Sequence, residues 1–189
     1  MKNRTSVSLC AVALAALGLS ACSSVGTSQM ASTTTFSQAV LPDVVKVPAG
    51  NRVAMETVGV GDITYECRAK KDMADQFEWV FVGPEAALND RSGKRIGRYF
   101  GPPATWESMD GSKLTGAQVA VSPAGAANIP LQLVKANPAM GAGSMQGVTY
   151  IQRVATQGGV APSAACAAAS LGQKQIVKYQ ADYIFWRAV

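Results

Sequence analysis

Apolar and polar side chains alternate along most of the chain from Leu41 onward. Ile63, Tyr65, Cys67 and Ala69 are interleaved with Thr64, Glu66, Arg68 and Lys70. Phe77, Trp79 and Phe81 are interleaved with Gln76, Glu78 and Val80, and Val177, Tyr179, Ala181, Tyr183 and Phe185 with Lys178, Gln180 and Asp182. A period of two places one set on a core face and the other in water, which is the pattern of half-buried strands. Further strands are predicted over residues 52–58, 94–100, 113–121, 129–135 and 148–156. Turn-forming residues divide them at 48–51, 59–62, 89–93, 110–111 and 123–128. Many short strands at this spacing predict an all-β fold, an antiparallel β-sandwich or barrel. One short helix is expected near 163–171, with Ser163 capping 164–171 and Gly172 ending it.

The N-terminus breaks the pattern. Lys2 and Arg4 precede an apolar run over 7–19 that is too short to span a bilayer. It ends in Leu19-Ser20-Ala21-Cys22, which matches the bacterial lipoprotein box. Residues 1–21 are therefore read as a signal peptide, with lipidation at Cys22. The Ser/Thr-rich stretch 22–40 lacks apolar periodicity and is read as a flexible tether, followed by one β-rich domain over 41–189. The expected location is the bacterial cell envelope, extracytoplasmic and held to the membrane through Cys22. Ser23, rather than Asp, follows the cysteine and favours the outer membrane in a Gram-negative host.

Composition then removes whole classes of chemistry. The 189 residues include 17 Lys+Arg, 12 Asp+Glu and no His. Imidazole acid–base catalysis, Ser-His and Cys-His nucleophiles and His-ligated metals are excluded. The net charge of +5 becomes +3 once Lys2 and Arg4 leave with the leader, too mild to argue for nucleic acid. The glycine-rich run 141–147 has no strand before it and no helix after it, so it is a hairpin loop rather than a dinucleotide site. No cofactor and no metal is implied.

What remains is a short set of candidates. Arg91, Lys94, Arg95 and Arg98 form a basic cluster that could face an anionic surface. Arg153 lies in a strand between Ile151 and Ala155, either bound to a carboxylate or lining a pocket. Trp106, Glu107 and Asp110 are grouped at a turn and are candidate ligand-binding residues. The first reading is a non-enzymatic binding or structural domain with an envelope glycan or protein ligand. The alternative is a carboxylate-dependent enzyme acting on envelope or extracellular carbohydrate, with Glu107 and Asp110 at the floor of one cleft and Trp106 as a stacking platform. Once Cys10 leaves with the leader and Cys22 is lipidated, Cys67 and Cys166 remain. In an exported domain they are predicted to form a disulfide.

Several segments in order resemble a bacterial and fungal family of unknown function, DUF3455. They are Leu41-Pro42 with Val47-Pro48-Ala49-Gly50, Tyr65-Glu66-Cys67, Phe81-Val82-Gly83-Pro84, Gly101-Pro102 before Thr105-Trp106-Glu107, and Asp110-Gly111-Ser112. Val148-Thr149-Tyr150-Ile151-Gln152-Arg153-Val154, Gly158-Gly159-Val160-Ala161-Pro162, Cys166 and Ala181-Asp182-Tyr183-Ile184-Phe185 complete the match. The family pattern commonly has a His near Arg98 and a contiguous Gly-Pro-Thr-Trp. This chain has no His, and Pro103-Ala104 interrupts the second motif. The resemblance implies a domain boundary and no activity.

Overall fold

The computed structural model describes residues 36–189. Eight antiparallel strands close into a barrel in simple up-and-down order. They are β1 (Asn51–Lys70), β2 (Met73–Asn89), β3 (Arg95–Phe100), β4 (Thr105–Ser108), β5 (Lys113–Ser122), β6 (Leu131–Ala136), β7 (Val148–Gly158) and β8 (Lys174–Ala188). Closure is made by β8 against β1, paired from Asn51–Ala188 to Glu66–Lys174 with one register shift between Val53 and Met55. An eight-stranded barrel leaves an interior just wide enough to be filled by side chains. Here the filling is aromatic. Tyr99 stacks on Trp106 at 4.8 Å between centroids, and Tyr183 lies 5.0 Å from Tyr99 and 6.1 Å from Trp106. Ile63, Leu88, Leu114, Ile151 and Phe185 pack around them.

The period-two reading holds along β1, where Ile63, Tyr65 and Cys67 are buried, and along β8, where Tyr179, Ala181, Tyr183 and Phe185 are buried. The fold class is the predicted one, in its barrel form. Three local expectations change. The turn predicted at 59–62 is continuous strand, and β1 joins the two segments predicted on either side of it. Its glycines serve close approach rather than chain reversal. A Cβ on Gly59 would lie 2.5 Å from the Tyr183 ring, and one on Gly61 would meet the backbone of Glu85 and Ala86. Small residues opposite bulky ones are how a narrow barrel fits its taper.

The helix expected near 163–171 is reduced to a single 3-10 turn, Ala168–Ser170. The alanines there are overruled by long-range ties. Gly172 N–H donates to the Cys67 carbonyl at 2.8 Å and Cys67 N–H to that of Gln173 at 2.9 Å. The predicted Cys67–Cys166 disulfide is present, with Cα atoms 5.5 Å apart. The short strand β4 was not among the predicted strands, because four residues are too few to show a period.

A second apolar cluster lies outside the barrel. Val45 and Val47 cover Leu133, Val154, Ile184 and Trp186. Gln152, fully buried on this outer face, ties the segment carrying Val45 and Val47 to the barrel. Its Nε2 donates to the Val45 carbonyl at 2.6 Å, and its Oε1 accepts from Trp186 Nε1 at 2.9 Å. Phe36 N–H donates to Glu56 Oε1 at 2.7 Å, and the Phe36 ring meets Trp186 edge-on at 6.3 Å. The chain is thus held from Phe36, five positions before the boundary expected at 41. The expected leader 1–21, Cys22 and the expected tether as far as residue 35 lie outside the described residues.

Candidate functional site

Up-and-down connectivity gives the barrel two distinct ends. The β2–β3, β4–β5 and β6–β7 connections meet at one of them, and that end is plugged. Met145, from the loop before β7, is buried in the main core cluster. Asp110 pins this loop. Its carboxylate accepts Ser144 N–H at 2.7 Å and Ser112 N–H at 2.9 Å, and it also accepts the Ser112 hydroxyl. The Ser112 oxygen in turn accepts Met145 N–H at 3.1 Å. A side chain at Gly143 would collide with the Asp110 carboxylate at 2.5 Å, and its φ of +149° is one that glycine adopts freely. The predicted hairpin loop is therefore a folded plug.

These hydrogen bonds hold the Asp110 carboxyl well below the ordinary aspartate range, with the Ser112 hydroxyl the largest cause. A depressed folded value means that the stabilisation is complete above about pH 4 and is lost as pH falls toward the folded pKa. Asp110→Ala is expected to speed hydrogen exchange at the Ser144 and Met145 amides and to flatten the acid limb of the stability profile. Unchanged exchange would mean that burial of Met145 alone holds the plug.

The other end carries a cleft of about 330 Å³, lined by Phe81, Tyr99, Ala104, Trp106, Gly116, Gln118, Gln132, Val134 and Arg153. Tyr99, Trp106 and Val134 are buried and form its floor. Phe81, 51% exposed, forms a wall and meets Tyr65 edge-on at 6.1 Å. Gln132 Nε2 donates to Gln118 Oε1 at 2.7 Å. Arg153 follows Ile151 in the inward phase of β7 and stands beside Gln132, its partner on β6. Of the two readings of Arg153, lining a pocket is the one observed. Its Nε and Nη2 both donate to the Pro130 carbonyl, at 3.1 and 3.0 Å. Among the described residues no ion pair involves it.

The positive charge of Arg153 reaches the barrel aromatics. Burial pushes the phenols of Tyr65, Tyr99, Tyr179 and Tyr183 up, and Arg153 opposes that rise at each of them. All four remain neutral phenols at ordinary pH. Tyr179 and Tyr183 share a hydroxyl contact of 3.2 Å, and Tyr65 donates to the Gly159 carbonyl at 2.8 Å.

The residues singled out from the sequence divide. Trp106 and Arg153 line this one cleft. Glu107 and Asp110 do not. Adjacent positions on a strand point to opposite faces, so Trp106 enters the barrel while Glu107 points out and pairs with Arg98 at 2.6 Å. The Arg98 guanidinium also lies over Phe100, 4.4 Å from the ring centroid. Glu107 borders a separate exterior cleft of about 240 Å³ with Arg95, Arg98 and Met109. Asp110 is engaged by the plug, and Trp106, 1% exposed, offers no open stacking face. The convergence that carbohydrate hydrolysis by these carboxylates requires is therefore not formed.

The basic cluster is partly neutralised as well. Arg91 is clamped between Glu56 at 2.9 Å and Asp182 at 2.7 Å. Tyr99, Phe81, Gln118 and Gln132 were not singled out from the sequence. The available signal was phase, since Gln132 and Arg153 are polar residues in step with apolar Val134 and Ile151.

The family model described as a protein of unknown function, DUF3455, matches residues 48–187. That range begins just before β1 and ends in β8. No curated protein and no solved structure matches the chain.

Proposed function

The chain belongs to the DUF3455 family, described only as being of unknown function, and from that premise we propose that it is a lipid-anchored cell-envelope protein whose barrel is a non-enzymatic binding domain with its ligand site at the open mouth. One observation carries the reading. A barrel plugged at one end by Met145 keeps at the other a concave, partly aromatic cleft with a cation in the inward phase of a strand. Ligand sites are typically concave and mostly apolar, with a few polar groups that fix orientation, and volumes run from about 300 to 1,000 Å³. The mouth falls at the small end of that range, which suits a small molecule or one terminal unit of a larger one. Support for anchoring comes from Leu19-Ser20-Ala21-Cys22. The acyl chains of a lipidated cysteine act together, each buried CH₂ contributing about 0.8 kcal/mol. In a Gram-negative host the outer membrane is the proposed site.

The test has two arms. Membrane fractionation of cells carrying the wild type and Cys22→Ser is expected to show acylation and membrane retention lost in the variant. A soluble, unacylated wild type would overturn the anchor. In the second arm, saturation-transfer NMR of the detergent-purified full chain is run against a mixture of peptidoglycan fragments and small organic molecules. Gln118→Trp, which fills the mouth from an exposed position, is expected to abolish the transfer. Transfer that survives in Gln118→Trp moves the binding site elsewhere.

A further inference from the structure

The donors and the lining of the mouth specify more than its volume. Arginine has five N–H donors in a planar fork. The edge formed by Nε and Nη2 of Arg153 is directed at the Pro130 carbonyl, so the edge formed by Nη1 and Nη2 is left for an incoming group. That edge matches the two oxygens of a carboxylate, a bidentate pairing that is both directional and charge-assisted. No acidic side chain lines the cleft, so nothing built into it competes for the cation. The accessible apolar surface of the cleft is the ring of Phe81, 51% exposed, above the buried floor of Tyr99, Trp106 and Val134. Beside them the amide pair Gln118–Gln132 keeps donors and acceptors within the mouth.

Resting on the mouth as the binding site, we infer that its ligand is a small flat monocarboxylate: the carboxylate pairs with Arg153, the planar apolar body lies against the exposed ring of Phe81, and a polar substituent at the rim meets Gln118 and Gln132. Each part of the cleft then has a partner. The cation, partly buried and without a carboxylate among the described residues, gains its counter-charge only when the ligand is bound. A neutral sugar would leave that charge unanswered, and an inorganic anion would leave the Phe81 ring uncovered.

Isothermal titration of the full chain in detergent tests this with defined probes: benzoate, 4-hydroxybenzoate, benzamide, acetate and inorganic phosphate. Benzoate and 4-hydroxybenzoate are expected to bind. Benzamide, of the same shape without the charge, is expected to bind about ten- to a hundredfold more weakly, the size of a lost charge-assisted hydrogen-bonded pair. Acetate and phosphate, lacking the ring, should fall below both aromatic acids. Arg153→Gln should bring benzoate to the level of benzamide and leave benzamide unchanged, with Arg153→Lys in between. The benzoate-to-benzamide ratio is read on the wild type, so the inference stays testable even if Arg153→Gln fails to fold. Equal binding of benzoate and benzamide overturns the carboxylate assignment. It leaves the mouth standing if Gln118→Trp abolishes both. Binding indifferent to Gln118→Trp overturns the mouth itself. No binding of either aromatic acid at millimolar concentration overturns the inference.

Discussion

The double variant Cys67→Ala, Cys166→Ala is expected to lose about 4–5 kcal/mol of unfolding free energy, the loop-entropy value for a bridge closing about 100 residues. The bridge joins positions 99 apart in sequence and ties β1 to the long connection before β8. Freed of it, the unfolded chain gains most of the conformations that the cross-link forbids. Alanine is the replacement of choice because Cys67 is fully buried, and a serine hydroxyl there would add a desolvation cost of its own. Urea denaturation followed by far-ultraviolet circular dichroism checks the prediction. The slope should rise as well, because an unbridged unfolded state exposes more surface. Reduction of the wild type should reproduce the effect. A difference below about 1 kcal/mol would mean that hydrogen-bonded ties carry the connection instead. Those ties are the Gly172 and Gln173 pairing with Cys67 and the 2.7 Å hydrogen bond from Trp79 Nε1 to the Ala164 carbonyl.

Trp106→Ala is the second large effect, expected to cost about 3–5 kcal/mol, the usual range for removing a buried tryptophan. Trp106 is 1% exposed and packs against both Tyr99 and Tyr183, which also touch each other, so its removal opens a cavity at the meeting point of three rings. A barrel wall hydrogen-bonded all the way round has little freedom to collapse into such a hole. Trp106→Phe keeps one ring against Tyr99 and should lose markedly less. Both variants can be read by urea denaturation, and the alanine variant should also lose affinity for any ligand of the mouth, whose floor it removes. If Trp106→Ala were as stable as Trp106→Phe, the stack would not be central to the core.

Much of this protein could be read in one dimension. Strand facing follows from a period of two, so Ile63, Tyr65 and Cys67, or Tyr179 to Phe185, declare their inward side without any knowledge of their neighbours. The disulfide was legible by elimination, once Cys10 was read as part of a leader and Cys22 as the lipidated residue, which left Cys67 and Cys166. The absence of His closed several catalytic routes before any geometry was known. These inferences share a cause: each depends on local alternation or on chemistry that composition alone can forbid.

Other features depended on which distant segments meet. Gly59 and Gly61 carry the same local signal as a turn, and only the Tyr183 ring and the β2 backbone packed against them make them strand residues. Residues 164–171 have the alanine content of a helix, yet Cys67 and its backbone hold them in another form. Trp106 and Glu107 are neighbours in sequence and so lie on opposite faces of β4, while Gln118, Gln132 and Arg153, far apart in sequence, share one mouth. Whether the strands close into a barrel or pack as two sheets rests on the pairing of β1 with β8, across more than a hundred residues. The sequence determined which way each side chain points along its own strand, because that is a property of the local backbone. Tertiary structure alone decided which side chains converge, because convergence is set by pairing register between segments that carry no local record of one another.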